Sequence, residues 1–536
     1  MRTLGLAPAA AVALGRAGIL APVRPDRLAA MAAAAARCGP TLAALGAVGA
    51  ARHPDRAAVI DDRGAVTYRE LAARVEAIAA ALHDAHGVAP GRRVGVLCRN
   101  HRGFVEAALA ATRLGADLVL VNTEFSGPQL CDVLGREKVD VLVLDQEFVA
   151  ALEEGAFAGD RIVAWQDEPV AAPTLDRLAE RGGDRPARPR RAGRVVLMTS
   201  GTTGAPKGAG RAPSAVALAG PLVTILSEVP LRAGERILVA PPLFHGFGLA
   251  FLGLALAAGM SVVVRRRFQP ADALEAIAEH GVAAFAGVPV MLQRILALDE
   301  AERARHDASC LRAVLAAGAA LPGDLALAFM DAYGEVVYNL YGSTEAGWGA
   351  IAGPADLRAA PGTVGRPPRG TTVRVLDAGG RPVGPGETGR IYLRNRLLFE
   401  RYSGGGTKEV VDGHMSTGDM GHLDEAGRLF VAGRDDDMIV SGGENVFPQE
   451  VQELLAAHES VAEVAVVGVH DEQFGQRLAA FVVPAPGPAA SADDLRAHVK
   501  ARLARYKVPR DVEFVEELPR TATGKVAKAQ LRERAT

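Results

Sequence analysis

Short runs of Val, Ile and Leu alternate with longer Ala-rich stretches along most of this chain, and that alternation restricts the fold more than any other feature. A strand buried on both faces reads as an unbroken apolar run, and the helices that cover it supply the segments between. Val94–Cys98, Leu118–Asn122, Val139–Leu144, Val195–Met198 and Arg312–Ala316 are read as such strands. The fold class expected is therefore α/β, with parallel sheets covered by helices. From about Gly370 the texture changes to strands punctuated by Gly and Pro (Val373–Leu376, Arg390–Leu393, Leu429–Ala432), which marks a small β-rich subdomain. After Arg434, strands at Glu463–Val469, Leu478–Val483 and Val512–Val515 and a helix over Ala492–Ala504 indicate a small α+β unit. The Pro- and Arg-rich stretch from Arg185 to Arg191 reads as a surface connector.

At 536 residues the chain is too long for one core, and roughly three to four units are expected from length alone. Lys and Arg total 60 against 62 for Asp and Glu, so a formal charge of -2 disfavours nucleic acid as a partner. Cys38, Cys98, Cys131 and Cys310 are scattered with no C-x-x-C pair, which argues against a disulfide framework or zinc knuckle and for a reducing, cytoplasmic setting.

Two segments imitate membrane signals. Residues 1–16 have the charged and apolar parts of a signal peptide, but Pro8 interrupts the apolar run and no clear cleavage site follows; an amphipathic helix on the protein or at a membrane surface is expected. No charged residue lies between Arg236 and Arg265. Pro241, Pro242, Gly246, Gly248, Gly253 and Gly259 divide that stretch into a strand Ile237–Ala240, a loop, a helix from about Leu249 and a strand Val262–Val264.

The strongest chemical signal is TSGTTGAPKG, Thr199–Gly208, directly after an expected strand. Its glycines permit close backbone approach, Ser200, Thr202 and Thr203 offer hydroxyl donors, and Lys207 adds a charge, a combination suited to polyphosphate. It does not fit G-x-x-x-x-G-K-[ST], and a flexible surface turn is the bland alternative. GPGETG, Gly384–Gly389, satisfies G-x-G-x-x-G literally but contains Pro385 and leads into a strand, so it is read as a turn.

Further along stand YGSTE (Tyr341–Glu345), STGD (Ser416–Asp419), GRDDDMIVSGGENV (Gly433–Val446) and PRTATGK (Pro519–Lys525). With the Thr-rich loop, in this order and spacing, they resemble the adenylate-forming superfamily of acyl-CoA synthetases, luciferases and peptide-synthetase adenylation domains. The resemblance runs from about Asp55 to the C-terminus. It implies a large N-terminal domain, residues 1–433, of two parallel helix-covered sheets plus the β subdomain over about 370–433, and a small α+β C-terminal domain, residues 434–536, rotating about a hinge near Asp436. It also implies ATP, Mg²⁺ and CoA as cofactors and co-substrates.

The resemblance assigns roles residue by residue. Thr199, Ser200, Gly201, Thr202, Thr203, Gly204 and Lys207 would hold the β- and γ-phosphates, Thr344 the α-phosphate, and Glu345 the Mg²⁺. Tyr341 and Gly342 would flank adenine opposite Gly318 and Ala319, with Asp419 accepting the ribose hydroxyls and Arg434 supporting it. Lys525 would bridge carboxylate and α-phosphate as charge gathers there; Ser441, Gly442 and Gly443 would line the CoA channel. Singly, each of these reads equally as an ordinary surface lysine, ion pair or turn. The segment departs from the family where His414, Met415 and Ser416 replace a frequent aromatic and where Asn339 and Leu340 precede Tyr341.

PPLFHGFG, Pro241–Gly248, matches the family element at the mouth of the acyl pocket, where His245, Gly246, Phe247 and Phe251 would gate and line it. An amino-acid substrate would need a carboxylate for its ammonium, and none occurs between Arg236 and Arg265. The small apolar lining favours an alkyl chain, so the activity expected is AMP-forming activation of a medium- to long-chain fatty acid through acyl-AMP to acyl-CoA. Alternatives are an acyl-AMP ligase loading a separate carrier protein, and a catalytically silent nucleotide- or lipid-binding homologue. No carrier domain follows Thr536, which favours a diffusible acceptor. A homodimer and a peripheral membrane contact through the N-terminal segment stay open.

Overall fold

The computed structural model describes residues 6–535 except 154–156, 200–206, 212–222, 344–346, 396–407, 442–443, 472–474, 489, 504 and 522–523; side chains at 6–9, 153, 199, 207–211, 343, 436, 440–441, 444–445, 475 and 505 are not described. Three helices begin it: α1 (Leu6–Arg16), α2 (Pro25–Cys38) and α3 (Leu42–Arg52). Where one amphipathic helix was expected at the N-terminus, the chain turns twice, because Pro25 suits the first turn of α2 and Gly39 has a φ of +65° just beyond its end.

Two helix-covered sheets make up the body. Five parallel strands run in the order Asp160–Trp165, Val141–Asp145, Arg93–Leu97, Asp117–Leu120, Val195–Thr199, and Lys207–Arg211 adds an antiparallel edge. In the eight-stranded sheet, six parallel strands (Val337–Ser343, Ala313–Ala316, Ala284–Gly287, Arg236–Val239, Ser261–Val263, Ala57–Asp61) lie between antiparallel edges Gly347–Ala352 and Gly64–Thr67. The β-rich part is a five-stranded antiparallel sheet between Thr372 and Arg434. The last unit pairs Val461–Asp471 with Gly475–Pro484 and is covered by helices Pro448–Ala456 and Ala492–Lys500. This is the α/β architecture read from the apolar runs.

Helix α4 (Tyr68–His86) starts at a reciprocal cap, with the Glu70 backbone N–H donating to Thr67 Oγ1 at 3.2 Å and Thr67 N–H to Glu70 Oε2 at 2.8 Å. It packs on helix α5 (Arg102–Arg113), which is buried from Gly103 to Arg113. The core around these helices includes strand residues of both body sheets, among them Val96 and Leu118 from one and Ile237 and Ala284 from the other.

A helix enclosed on all sides must neutralise its charges. Arg74 of α4 meets Glu106 through two bonds, 2.6 and 3.0 Å long. Arg113, 1% exposed, donates to Glu76 Oε1 at 2.9 Å and to the carbonyls of Pro186 and Ala187. The Arg185–Arg191 connector therefore lies over the surface as expected but is held there by a buried guanidinium. Arg113→Ala removes one partner of that pair and leaves two carbonyls without their donor; a loss of about 3–5 kcal/mol is expected, read from the denaturant midpoint.

Candidate functional site

Sharp turns at the C-terminal ends of neighbouring parallel strands bring the expected nucleotide residues together. Ala313–Ala316 runs beside Val337–Ser343, so Gly318 and Ala319 leave the sheet next to Tyr341 and Gly342. Gly318 has a φ of +89°, a conformation other residues rarely adopt. Gly342 sits at an irregularity in its pairing with Gly347–Ala352, where an added Cβ would lie 2.3 Å from the Gly347 carbonyl oxygen. Thr344 and Glu345 follow in the chain and lie outside the described residues.

Asp419 faces the same place from the β subdomain. Tyr341 Oη donates to Asp419 Oδ2 at 2.5 Å, and Arg434 Nη1 reaches Asp419 Oδ1 at 3.3 Å from the paired strand. The Asp419 backbone N–H donates to Thr417 Oγ1 at 3.0 Å, and that buried hydroxyl donates in turn to the Ile391 carbonyl. Burial and the neighbouring Asp419 carboxylate both push the Tyr341 phenol well above its ordinary value, so it remains a donor.

The acyl-side residues stand on the helix Gly246–Ala257, which begins three residues earlier than expected because His245 caps it: the Phe247 N–H points to His245 Nδ1 at 3.4 Å. Gly248 is required for the turn, since a Cβ there would lie 2.3 Å from the Pro242 carbonyl oxygen. Phe247 meets Phe251 edge to face at 5.2 Å, and Phe251 stacks against Trp348 at 6.4 Å. Phe251 is fully enclosed, so it is corrected from a pocket-wall residue to the layer between Phe247 and Trp348, both of which are partly exposed.

Two contributors escaped the sequence reading. Trp348 lies on the strand returning from YGSTE and was not connected with PPLFHGFG. Asn100, 5% exposed, bridges the two body sheets: its amide donates to the carbonyl of Pro241 at 2.9 Å and its oxygen accepts the Leu243 N–H at 2.8 Å. A polar residue just past the apolar run Val94–Cys98 was the available signal.

Lys525 comes from the other end of the chain. Its carbonyl accepts the Thr521 N–H at 2.7 Å, closing a hairpin with a bridge between Arg520 and Val526. Gly524, with a φ of +77°, brings this hairpin against the body; a Cβ there would lie 2.9 Å from Val290 Cγ1. On the same side Gln293 Nε2 of the body donates to the Ala462 carbonyl of the last unit at 2.9 Å. Burial first, then the Lys525 charge, lower His245 to about 4. Its imidazole is neutral at pH 7.

Other expected residues are only partly visible. Thr199 and Lys207 face each other across a hairpin, and Ser441 pairs with Glu444, but their side chains are not described; Ser200–Gly204, Gly442 and Gly443 lie outside the described residues. Asp436 lies in the single helical turn Asp435–Asp437, between the β subdomain and the last sheet. Among the described residues, Cys98, His101 and Asp145 are close enough to hold a metal ion. Both His101 nitrogens are engaged, Nε2 with Asp145 Oδ1 at 2.7 Å and Nδ1 with the Gly103 N–H at 3.0 Å, which anchors the start of α5.

Comparison with known proteins matches residues 47–403 to the family described as AMP-binding enzyme, and residues 450–525 to the AMP-binding enzyme C-terminal domain. The chain is 37% identical to a feruloyl-CoA synthase of Amycolatopsis over 90% of its length and 96% of that protein. It is 32% identical to the fatty acid–[acyl-carrier-protein] ligase ScoC of Streptomyces coeruleorubidus, over 90% of this chain and 94% of that one. The anthranilate CoA ligase AuaEII, solved with anthranoyl-AMP, superposes with a TM-score of 0.84 at 27% identity, covering 92% and 97% of the two chains.

His245 gives the site a pH signature. Below about 6.5 the unfolded chain takes up a proton that the folded chain refuses until about 4, so its contribution to stability is full above pH 6.5 and declines as pH falls to about 4. His245→Gln should flatten the acid side of the stability profile between those limits, as measured by denaturant midpoints at pH 7 and pH 4.5.

Proposed function

Because the chain belongs to the AMP-binding enzyme family, we propose that it activates a ring-bearing carboxylic acid with ATP and passes the acyl group to coenzyme A. AMP-forming CoA ligases use ATP, Mg²⁺ and CoA. The acid's oxygen attacks the α-phosphorus and pyrophosphate leaves; the thiol then attacks the acyl carbonyl and AMP leaves. The observation that carries the ring-bearing substrate is the pair of partly exposed aromatics Phe247 and Trp348 beside the His245 turn, braced from behind by the enclosed Phe251, where a planar acid gains edge and face contacts. The similarity to a feruloyl-CoA synthase supports the same reading. The fatty-acid reading rests on the uncharged lining between Arg236 and Arg265, and the similarity to ScoC favours it and a carrier-protein acceptor.

In this proposal Asp419 receives the ribose hydroxyls, with Arg434 and Tyr341 setting the carboxylate's direction. Gly318, Ala319, Tyr341 and Gly342 bound the adenine, and the Thr-rich segment between the paired strands ending at Thr199 and starting at Lys207 holds the outer phosphates. The donor set of Thr344 and Glu345, a hydroxyl and a carboxylate that follow Tyr341 in sequence, fits Mg²⁺, which would supply charge neutralisation for the phosphates when bound. Lys525 adds a cation beside a neutral His245, so the carboxylate meets one positive charge at the reacting centre. Asp436 is the proposed hinge that exchanges Lys525 for Ser441, Gly442 and Gly443, the CoA-side residues.

Pyrophosphate release and thioester formation across a panel of acids test the substrate. Aryl acids should exceed straight-chain acids by about tenfold or more in kcat/KM, and Trp348→Ala should erase that preference. Preference for long alkyl acids would return the reading to a fatty acid, transfer only to a carrier protein would change the acceptor, and no release with any acid would leave a silent homologue. Lys525→Ala should lose about 10²-fold or more in acyl-AMP formation yet keep thioester formation from supplied acyl-AMP. Gly524→Val, which prevents the hairpin from docking on Val290, should show the same split. Equal losses in both half-reactions would remove Lys525 from the proposed role.

A further inference from the structure

Helix α2 is a surface helix with apolar residues on its outer as well as its inner side. Arg27, Met31, Ala34 and Cys38 turn inward, and Arg27 donates to the Arg52 carbonyl at 2.9 Å. Its outward face consists of Leu28, Ala29, Ala32, Ala35 and Ala36, all exposed. Between Leu28 and Ala36 the helix carries no charged residue, and it is packed on one side only. The segment before it is exposed in the same way: Val12 of α1 and Leu20 of the connecting turn are each 56% exposed, and Leu28 is 57% exposed. These are three of the six large hydrophobic side chains recorded as exposed among the described residues, and all three fall within residues 12–28.

The charge around this surface selects what covers it. Residues 1–52 contain six arginines and one carboxylate, Asp26, in a chain whose net charge is -2, so the remainder is net acidic. Arg16 and Arg24 are exposed beside the apolar positions, and Asp26 meets Arg24 only through a solvent-exposed contact, with side chains 75% and 62% exposed. A second copy docking through the same face about a twofold axis would oppose these arginines to their own counterparts. An anionic surface with an apolar interior answers both features. No helix among the described residues is long and apolar enough to cross a membrane. Helices α1 and α2 precede the family match, which begins at residue 47, and contain none of the proposed active-site residues.

We propose that α1, its connecting turn and α2 form a docking surface for an anionic lipid bilayer, with Val12, Leu20 and Leu28 entering the interface and Arg16 and Arg24 contacting lipid headgroups. The apolar side chains supply the burial, and the arginines supply a salt-sensitive attraction that falls off within a Debye length.

The test is co-sedimentation of the full chain with vesicles of phosphatidylcholine alone and of phosphatidylcholine mixed with phosphatidylglycerol. The chain should sediment with the mixed vesicles at low salt, and less with phosphatidylcholine alone or at high salt. Leu20→Glu combined with Leu28→Glu, and separately Arg16→Ser combined with Arg24→Ser, should each weaken the binding by about tenfold or more. These exposed positions lie outside the proposed catalytic machinery, so pyrophosphate release in solution should be unchanged and reports that each variant is folded. Absence of binding to mixed vesicles, or binding that neither double substitution weakens, would overturn the proposal. A concentration-dependent dimer dissolved by the Leu20→Glu and Leu28→Glu pair would overturn it in favour of a second copy.

Discussion

The burial of helix α5 between two sheets is the constraint from which the body of this protein follows. Its residues from Gly103 to Arg113 are removed from solvent, and they include both a carboxylate and a guanidinium. Neither charge is tolerable there unpaired, so α4 must lie alongside with Arg74 and Glu76 in register. His101 and Asp145 fix where α5 starts, and Arg113 holds down the connector that leads toward the Thr-rich hairpin. With α5 in place the two sheets share one core, and Asn100 ties the end of one to the Pro241–Leu243 turn of the other.

Parallel strands then do the rest of the positioning. Every connection leaves a parallel sheet at the same end, so loops that are distant in sequence become neighbours. Gly318 and Tyr341 are brought together in this way, and the β subdomain adds Asp419 across from Tyr341. Close approach sets the glycines at these turns: Gly342, Gly248 and Gly524 each stand where a side chain would strike backbone or a packed valine. The approach of Lys525 to His245 depends on the last of these, because the hairpin that carries the lysine lies against Val288 and Val290.

The elements were legible wherever burial was two-sided. Val94–Cys98 and Val195–Met198 were read within a residue or two of the strands Arg93–Leu97 and Val195–Thr199, because an apolar run has a simple cause. The helix after His245 was placed three residues late, since a histidine cap depends on where the ring turns and leaves no periodic trace. Phe251 was assigned to a pocket wall although it is fully enclosed; aromatic character reads the same in a wall and behind one. Trp348 was passed over for the converse reason, lying on an edge strand whose neighbour across the pocket is nearly a hundred residues away in the chain.

The sequence by itself determined the α/β class, through apolar runs that only two-sided burial explains, and it identified the phosphate-type loop, Asp419, Arg434 and Lys525 as the charges to watch. It could not say which faces meet. Pairing Tyr341 with Asp419, stacking Phe251 on Trp348, and bringing the Lys525 charge to bear on His245 all join residues from separate elements, and such relations are decided by how sheets and helices pack. The same holds for α2, whose Ala-rich composition is compatible with a core helix until the packing of Met31, Ala34 and Cys38 leaves Leu28 and Ala32 outside. Side-chain chemistry is local and can be read from the chain, whereas burial is a property of the packed whole.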